Sequence, residues 1–319
     1  MPRVETESSA RFAADVREGL SRTPRQIPSR YFYDPLGSAL FEAICELPWY
    51  HITRAESQLL VEHRASLLGL LEPLSTVIEL GPGSGQKMKR LLDAAPRRKA
   101  PLDLHLVDVS PRALDVATRT LDSLPGVRIV THAADYTAGL VEACANRVRG
   151  GRALVVFLGS NIGNFDPPAA ANFLESIRTN LSTGDALLLG TDLVKPEPDL
   201  LLAYDDPLGV TAAFNRNLLV RMNRELGANF DLGAFVHRAV WNAAESRVEM
   251  HLEATAAQRV HVPAARLDIT LDAGERIWTE SSYKYEPRGV ARMLEAAGFD
   301  VAEQWIDAEA GFMLTLAGS

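Results

Sequence analysis

A glycine-rich segment with the sequence E-L-G-P-G-S-G occupies residues 79–85 and directly follows a short apolar run. Glycines in such a turn let a ligand approach the backbone, and a helix that begins behind them offers free N–H groups. Gln86 excludes a P-loop and a dinucleotide fingerprint, because each needs a glycine at that position. The remaining E-x-G-x-G-x-G form is typical of S-adenosylmethionine sites and predicts cofactor contacts at Gly81 and Gly83. A tight turn that needs glycine only for a positive φ is the alternative.

Acidic residues follow the next two predicted strands. Asp108 ends the second strand, where a carboxylate can accept hydrogen bonds from both ribose hydroxyls of an adenosyl group. A helix-capping or surface acid is the alternative. Asp135 and Tyr136 follow the third strand, where the acid can accept from the adenine amine and the ring can pack on the base. The loop and the acids at consecutive strand ends together predict an S-adenosylmethionine site.

Asn164 follows the fourth predicted strand, in the segment S-N-I-G-N-F over residues 160–165. In this architecture that strand end faces the methyl group of the cofactor, and an amide can accept from an amine or donate to a carboxylate. An Asn/Gly turn explains the same residues equally well from spacing alone. The order Asn164-Phe165-Asp166-Pro167 differs from the Asn/Asp-Pro-Pro-aromatic signature of methyltransferases that modify nucleic-acid bases.

Five apolar runs separated by amphipathic stretches predict the parallel strands that must position these side chains. The predicted strands are 76–80, 102–108, 127–132, 152–159 and 186–192, and the helices are 86–95, one from Ser110 with Pro111 first, and 168–181. A further helix over 286–297 stops at Gly298, and two short strands after it should pair as an antiparallel hairpin. The expected fold is therefore α/β, the Rossmann-like, seven-stranded sheet of class I methyltransferases.

Residues 195–283 do not continue this alternation; they contain a polar helical stretch, 212–226, and strand-like pieces after it. We predict that they join residues 1–54 in a smaller α+β auxiliary domain that binds the substrate. Residues 55–194 and 284–319 then form the methyltransferase domain. A separate N-terminal tail is the alternative for the first segment.

The composition restricts the class of protein. The 319 residues, 47% of them hydrophobic, suffice for one large or two modest domains, and 33 Lys+Arg against 41 Asp+Glu give a net charge of −8, which disfavours a nucleic-acid partner. Cys45 and Cys144 lie too far apart for a CxxC site, and the histidines show no HExxH pairing, so we expect no metal. The longest apolar run, 153–158, is too short to span a bilayer. We expect a cytoplasmic monomer without a membrane partner.

Six segments resemble the histidine-specific Nα-methyltransferases of ergothioneine biosynthesis, and together they extend over nearly the whole chain. They are YFYDPLGSALFEAICELPWYHITRAE (31–56), VIELGPGSGQK (77–87), VVFLGSNIGNF (155–165), LLLGTDLVK (187–195), AYDDPLGVTAAFNRN (203–217) and TESSYKY (279–285). Family members make hercynine, which is trimethylated histidine, from L-histidine and three molecules of S-adenosylmethionine, releasing S-adenosylhomocysteine. The alternatives are an N-methyltransferase of another amino acid or small amine, and a binding module of the same fold without activity.

The resemblance also implies roles for individual residues. The implied cofactor contacts are Gly81, Lys87, Asp108, Asp135 and Tyr136. The implied histidine-binding residues are Tyr50, Asn164, Tyr204, Glu280 and Ser282, with Tyr33, Phe41 and Met250 also matching the pocket. Asn161 is a departure, since the family pattern has Thr there.

Physical chemistry is consistent with these roles. Glu280 and Ser282 are separated by one residue, so an extended strand would project both to one side, where a carboxylate and a hydroxyl can hold the two imidazole nitrogens. An exposed polar strand face is the alternative for this pair, and packing at a domain junction is the alternative for the tyrosines. We expect Tyr33 and Asn164 to orient the amine while water accepts its proton, with positioning dominating the catalysis.

Overall fold

The computed structural model describes residues 3–93 and 101–319. The α-helices are α1 (Arg3–Leu20), α2 (Pro35–Cys45), α3 (Ile52–Leu70), α4 (Gln86–Leu92), α5 (Pro111–Leu121), α6 (Tyr136–Ala145), α7 (Pro167–Asn180), α8 (Glu197–Tyr204), α9 (Val210–Leu226) and α10 (Pro287–Ala296). The strands are β1 (Arg25–Gln26), β2 (Leu74–Leu80), β3 (Leu102–Asp108), β4 (Val127–Ala133), β5 (Arg152–Phe157), β6 (Ala186–Asp192), β7 (Phe235–Asn242), β8 (Arg247–Ala254), β9 (Gln258–Val262), β10 (Leu267–Leu271), β11 (Arg276–Tyr283), β12 (Asp300–Asp307) and β13 (Phe312–Gly318).

The chain forms two compact units. One, the smaller unit, contains Met1–His51 and Lys195–Ser282, and the other, the sheet unit, contains Ile52–Val194 and Tyr283–Ser319. The sheet unit begins at Ile52, where α3 starts, and α3 packs on β12 and β13. Over the two described ranges, no helix combines the length and the apolar character that a membrane crossing needs.

The sheet unit is built on a seven-stranded sheet in the order β12-β13-β6-β5-β2-β3-β4. The five strands from β6 to β4 pair in parallel, whereas β13 runs antiparallel to both β6 and β12. Every residue of β6 is buried, which is typical of a strand covered on both faces by helices. The predicted parallel sheet with an antiparallel C-terminal hairpin is confirmed.

Local sequence signals explain where several helices begin. The Ser110 side chain accepts a hydrogen bond from the Ala113 N–H at 3.3 Å and so caps α5, which starts at a proline. Asp166 caps α7 in the same way, through the Ala169 N–H at 2.8 Å, so that α7 starts one residue before its predicted position. The last two residues of the span predicted for α4, 94–95, lie outside the described residues.

The smaller unit has a four-stranded sheet in the order β1-β11-β8-β7 and a separate hairpin of β9 and β10. Helix α9 packs on β7, β8 and α2. It contains the predicted helical stretch 212–226 and ends at Gly227, whose φ of +68° stops the helix. The two residues of β1 pair in parallel with β11, so that backbone hydrogen bonds join the N-terminal segment to the inserted segment.

Candidate active site

The cofactor loop of the sheet unit turns sharply between β2 and α4. Gly81 and Gly85 both have a φ of +75°, and Gly83, which is exposed, has a φ of +54°. A Cβ on Gly81 would lie 2.9 Å from the Tyr136 hydroxyl and 3.4 Å from Asn161 Nδ2. Glycine at position 81 is therefore required both for the turn and for the polar groups that converge on it.

The predicted acids lie at the ends of β3 and β4, which are consecutive neighbours of β2 in the sheet. The Asp108 carboxylate accepts from the Ser110 N–H at 2.8 Å, and burial raises the pKa of this carboxyl. Asp135 is exposed and caps α6 by accepting from the Ala138 N–H at 2.9 Å. This bond engages one oxygen, Oδ1, of the exposed Asp135 carboxylate.

Tyr136, the first residue of α6, brings its hydroxyl towards the loop. Its ring packs edge-to-face on Phe157 with the centroids 5.2 Å apart. Burial raises the pKa of the Tyr136 hydroxyl, and the nearby Asp108 charge adds to this effect. The structure thus gathers the ends of β2, β3 and β4 and the Tyr136 hydroxyl at one edge of the sheet.

Asn164 ends a short 3-10 helix, Asn161–Asn164, that follows β5, and it is exposed. Two close contacts shape this segment. Ser160, with a φ of +56°, accepts from the Asp192 N–H at 2.9 Å, and a Cβ on Gly163 would lie 2.7 Å from the Tyr283 carbonyl oxygen. The segment is thereby held against β6 and the start of the C-terminal part, with the Asn164 side chain outside.

Two groups of predicted residues form within the smaller unit. In the first, Tyr33 and Tyr50 each pack edge-to-face on Phe41, with ring centroids 5.6 and 6.3 Å apart, and Phe214 of α9 lies 6.0 Å from the Phe41 ring. Phe214 also contacts Tyr33 edge-to-face at 5.8 Å. Residues 33–50 and α9 therefore build one aromatic cluster.

The second group lies at the end of β11. The Tyr204 hydroxyl, on the last residue of α8, donates to Ser282 Oγ at 2.7 Å, and both residues are buried. Glu280 is half-buried, and its carbonyl oxygen accepts from Trp278 Nε1 at 2.8 Å. Met250 of β8 is buried, with its carbonyl accepting from Thr279 Oγ1 at 2.9 Å. Tyr204 and Ser282 thus form one polar patch.

Comparison with known sequences places the chain in a family. The family described as histidine-specific methyltransferase, SAM-dependent, matches residues 12–319. The chain belongs to this family. The histidine N-alpha-methyltransferases of Mycobacterium tuberculosis and Mycolicibacterium smegmatis are each 44% identical to it, and both alignments cover 95% of this chain and 93% of the relative. The ergothioneine biosynthesis protein 1 of Schizosaccharomyces pombe is 29% identical over 91% of this chain and 38% of its own length.

Two buried acids beside the cofactor loop were assigned no role from the sequence, although one of them, Glu79, is the first residue of the E-x-G-x-G-x-G form. Glu79 is 2% exposed, and its Oε2 makes no hydrogen bond with any residue in the described part of the chain. Burial raises the pKa of this carboxyl to about 8, against the opposing charge of Lys87. Glu56 is fully buried and forms an ion pair with Lys87. The available signal for Glu56 was a carboxylate on the apolar face of α3.

A buried histidine behind Tyr204 was also missed. His237 Nε2 donates to the Tyr204 carbonyl oxygen at 2.7 Å, while Nδ1 accepts from Asn215 Nδ2 at 2.8 Å. These two partners require the neutral tautomer with its proton on Nε2. Burial lowers the pKa of His237, which favours the same neutral form. Nothing in the sequence around residue 237 indicates this link, because its partners are distant along the chain.

Proposed function

We propose that this protein is an S-adenosylmethionine-dependent methyltransferase that converts L-histidine to hercynine by three methylations of the α-amine, as the first step of ergothioneine biosynthesis. The observation that carries the proposal is the similarity over 95% of the chain, at 44% identity, to the histidine N-alpha-methyltransferase of Mycobacterium tuberculosis. Similarity of that extent includes the predicted site residues of each unit.

The residues present at the end of the sheet fit the cofactor. A Cβ at Gly81 would fill the space beside the Tyr136 hydroxyl and Asn161, so the missing side chain leaves a cradle at the loop. Glu79 adds a buried carboxylate oxygen without a hydrogen-bonding partner among the described residues. The residues that would hold the cofactor are Gly81, Gly83, Lys87, Asp108, Asp135 and Tyr136. When bound, S-adenosylmethionine supplies a methyl group on a positively charged sulfur.

For the substrate, we propose that Glu280 and Ser282 bind the imidazole and that Tyr50, Asn164 and Tyr204 bind the carboxylate and amine, with Met250 as an apolar wall. The Tyr204 hydroxyl donates to Ser282 Oγ, and a serine hydroxyl that accepts one hydrogen bond can also donate its proton to an acceptor. A neutral imidazole nitrogen is such an acceptor, and the Glu280 carboxylate can accept from the opposite N–H.

The catalytic contribution that we propose for this chain is to position the substrate amine. The attacking amine must be neutral, and Asn164 and Tyr33 offer polar groups that can orient its lone pair while water accepts the proton. Three successive methylations require that no step depends on an N–H donated by the substrate, because the last acceptor has none. Both reactants are small molecules of the cytoplasm, so we propose that the protein works there without a nucleic-acid or membrane partner.

An assay with the twenty amino acids in one mixture tests this proposal. Purified protein is incubated with the mixture and with methyl-labelled S-adenosylmethionine, and the products are identified by mass spectrometry. The expected result is histidine carrying three labelled methyl groups, with no comparable product from the other amino acids. Label on another amino acid would replace the substrate assignment, and the absence of any labelled product would favour a binding module. The Asp108→Ala variant serves as the control for cofactor-dependent transfer.

A further inference from the structure

A buried carboxylate connects the cofactor helix to the end of β5 within the sheet unit. Glu56 lies in the second turn of α3 and is fully buried. Its Oε1 and Oε2 accept from the Gly159 N–H at 2.7 and 3.0 Å, and its Oε2 forms an ion pair with Lys87 Nζ. One side chain thus contacts α4, which follows the cofactor loop, and the residue that begins the turn towards Asn164.

The neighbouring backbone is shaped around this carboxylate. A Cβ on Gly190 of β6 would overlap Glu56 Oε1, so the strand carries no side chain where the carboxylate lies. Gly159 has a φ of +74°, and Lys87 Nζ lies 3.4 Å from the position that its Cβ would take. Glu56 and Lys87 occupy the space that these two glycines leave open. Because the packing is close, a shift of either charged side chain should displace the backbone at Gly159.

Stability alone does not explain an ion pair at this place. Removing two charges from water is costly, and apolar residues of similar volume often stabilise a fold as well or better. Asp185 gives a comparison within the same sheet, because it is also buried, pairs with Arg147, and accepts from the Ala153 N–H at 2.8 Å. Asp185 lies at the amino end of β5, remote from the loop, whereas Glu56 lies at the carboxyl end that carries the candidate site.

We propose that Glu56 is a positioning residue that couples the cofactor loop to the substrate-binding segment 159–164. In this role the carboxylate holds the Lys87 ammonium and the Gly159 N–H together, so that ordering Lys87 by the cofactor also orders the turn that presents Asn164. The proposal rests on the proposed function, because it takes Lys87 as a cofactor contact and Asn164 as a substrate contact.

Hydrogen exchange with and without S-adenosylhomocysteine tests the coupling directly. In the wild type, S-adenosylhomocysteine should slow exchange both in the loop 81–87 and in the segment 159–164, by roughly fivefold or more. In Glu56→Gln, which keeps the volume and an acceptor for Gly159 but loses the charge, protection should remain in 81–87 and disappear from 159–164. In Asp185→Asn, a matched change at the other end of β5, both segments should keep their protection although the melting temperature falls.

The effect of S-adenosylhomocysteine on histidine affinity provides a second measurement. It should not change if Glu56 has only a structural role. In the wild type, saturating S-adenosylhomocysteine should tighten histidine binding by roughly fivefold or more, and Glu56→Gln should reduce this factor to about one. The double variant Glu56→Gln with Lys87→Met removes both charges and should lose no more coupling than either single variant. If Glu56→Gln alone does not fold, the double variant carries the test at saturating S-adenosylhomocysteine, because loss of Lys87 itself should weaken binding of this ligand.

The possible outcomes separate this proposal from the proposed function. Protection of 159–164 that persists in Glu56→Gln, or that is absent in the wild type, would overturn the coupling role. Failure of the wild type to bind or methylate histidine would overturn the proposed function, while the exchange measurement, which needs no histidine, would still decide the role of Glu56.

Discussion

The predicted cofactor residues of the sheet unit (the cofactor half) and the predicted substrate residues of the smaller unit (the substrate half) are positioned in different ways. The predicted cofactor residues all come from one stretch, 81–136, and follow three neighbouring parallel strands. The predicted substrate residues of the smaller unit come from residues 33–50 and 204–282, and side-chain contacts gather them into two groups. Backbone topology therefore positions the cofactor half, whereas long-range packing and hydrogen bonds position the substrate half.

Buried polar contacts hold the substrate half together. Asp34 caps α2 through the Gly37 N–H at 2.7 Å, and the same carboxylate accepts from Asn217 Nδ2 at 2.8 Å and from Arg224 at 2.7 Å. These bonds connect the N-terminal segment to α9, although more than half of the sequence separates the two. The difference implies that single substitutions should affect one half and leave the other nearly unchanged, and the following predictions test that separation.

The largest effect is expected at Asp108. Replacing it with alanine removes a charged acceptor from bound ribose hydroxyls and should weaken S-adenosylmethionine binding by roughly 2–4 kcal/mol, measured by calorimetry. Histidine affinity should change little. Asp108→Asn keeps an acceptor for the Ser110 N–H, so it separates the loss of charge from the loss of the turn. An unchanged dissociation constant in Asp108→Ala would remove this residue from the cofactor site.

The next effect concerns the substrate half. Glu280→Ala removes a charge-assisted hydrogen bond to the imidazole and should weaken histidine binding by roughly 1.5–3 kcal/mol, with S-adenosylmethionine binding nearly unchanged. Discrimination against phenylalanine and leucine should also fall, because a half-buried carboxylate no longer penalises an apolar side chain. Competition between histidine and these amino acids measures both effects.

A matched control for Glu280 lies on the same sheet. Glu253 of β8 is bound by Arg276 at 2.7 Å and by Arg238 at 3.3 Å, so Glu253→Ala should change stability without changing the preference for histidine. If both variants leave histidine affinity and preference unchanged, Glu280 is only a partly exposed acid, and the assignment of the imidazole pocket fails.

The same contrast explains how much the sequence could predict. The bounds of β3 and β6 agree with the predicted strands residue for residue. Most residues of β6 are apolar, and the leucines of β3 recur at every second position, as expected for buried strands, and both strands end in an aspartate. The pairing of β1 with β11 was not predicted, since a strand of two residues has no periodicity and its partner is some 250 residues away. Glu56 and His237 were missed for the same reason, as their roles depend on partners that only the folded chain brings close.

A smaller effect is expected at Tyr204. Tyr204→Phe removes the hydroxyl that donates to Ser282 Oγ and should weaken histidine binding by about 1 kcal/mol. Tyr31→Phe is the matched control, because Tyr31 is also buried in the smaller unit and its hydroxyl donates to Asp15. That variant should lower stability by a similar amount without affecting histidine. Equal histidine affinity in Tyr204→Phe and the wild type would place the Tyr204 hydroxyl outside the substrate site.

The smallest effect should appear as a dependence of stability on pH in the sheet unit. His105 Nδ1 and His132 Nε2 lie 2.9 Å apart on β3 and β4, both rings are buried, and this hydrogen bond needs one donor and one acceptor nitrogen. Burial lowers the pKa of His105, and the charge of His132 lowers it further. His105 therefore binds a proton less readily in the folded protein than in the unfolded chain, where the pKa of a histidine is about 6.5. Stability is then fully present above that pH and is lost as the pH falls below it.

The decrease in the free energy of unfolding that His105 causes cannot exceed about 1.4 kcal/mol per pH unit, since the unfolded chain takes up one more proton at this residue. Urea unfolding at about pH 7 and about pH 5.5 measures it, and His105→Gln should reduce the slope because its side chain does not titrate in this range. If the stability of His105→Gln depends on pH as strongly as that of the wild type, protonation of other groups causes the loss of stability. The buried His237 and His251 of the smaller unit, whose pKa values burial also lowers, would then be the first to test.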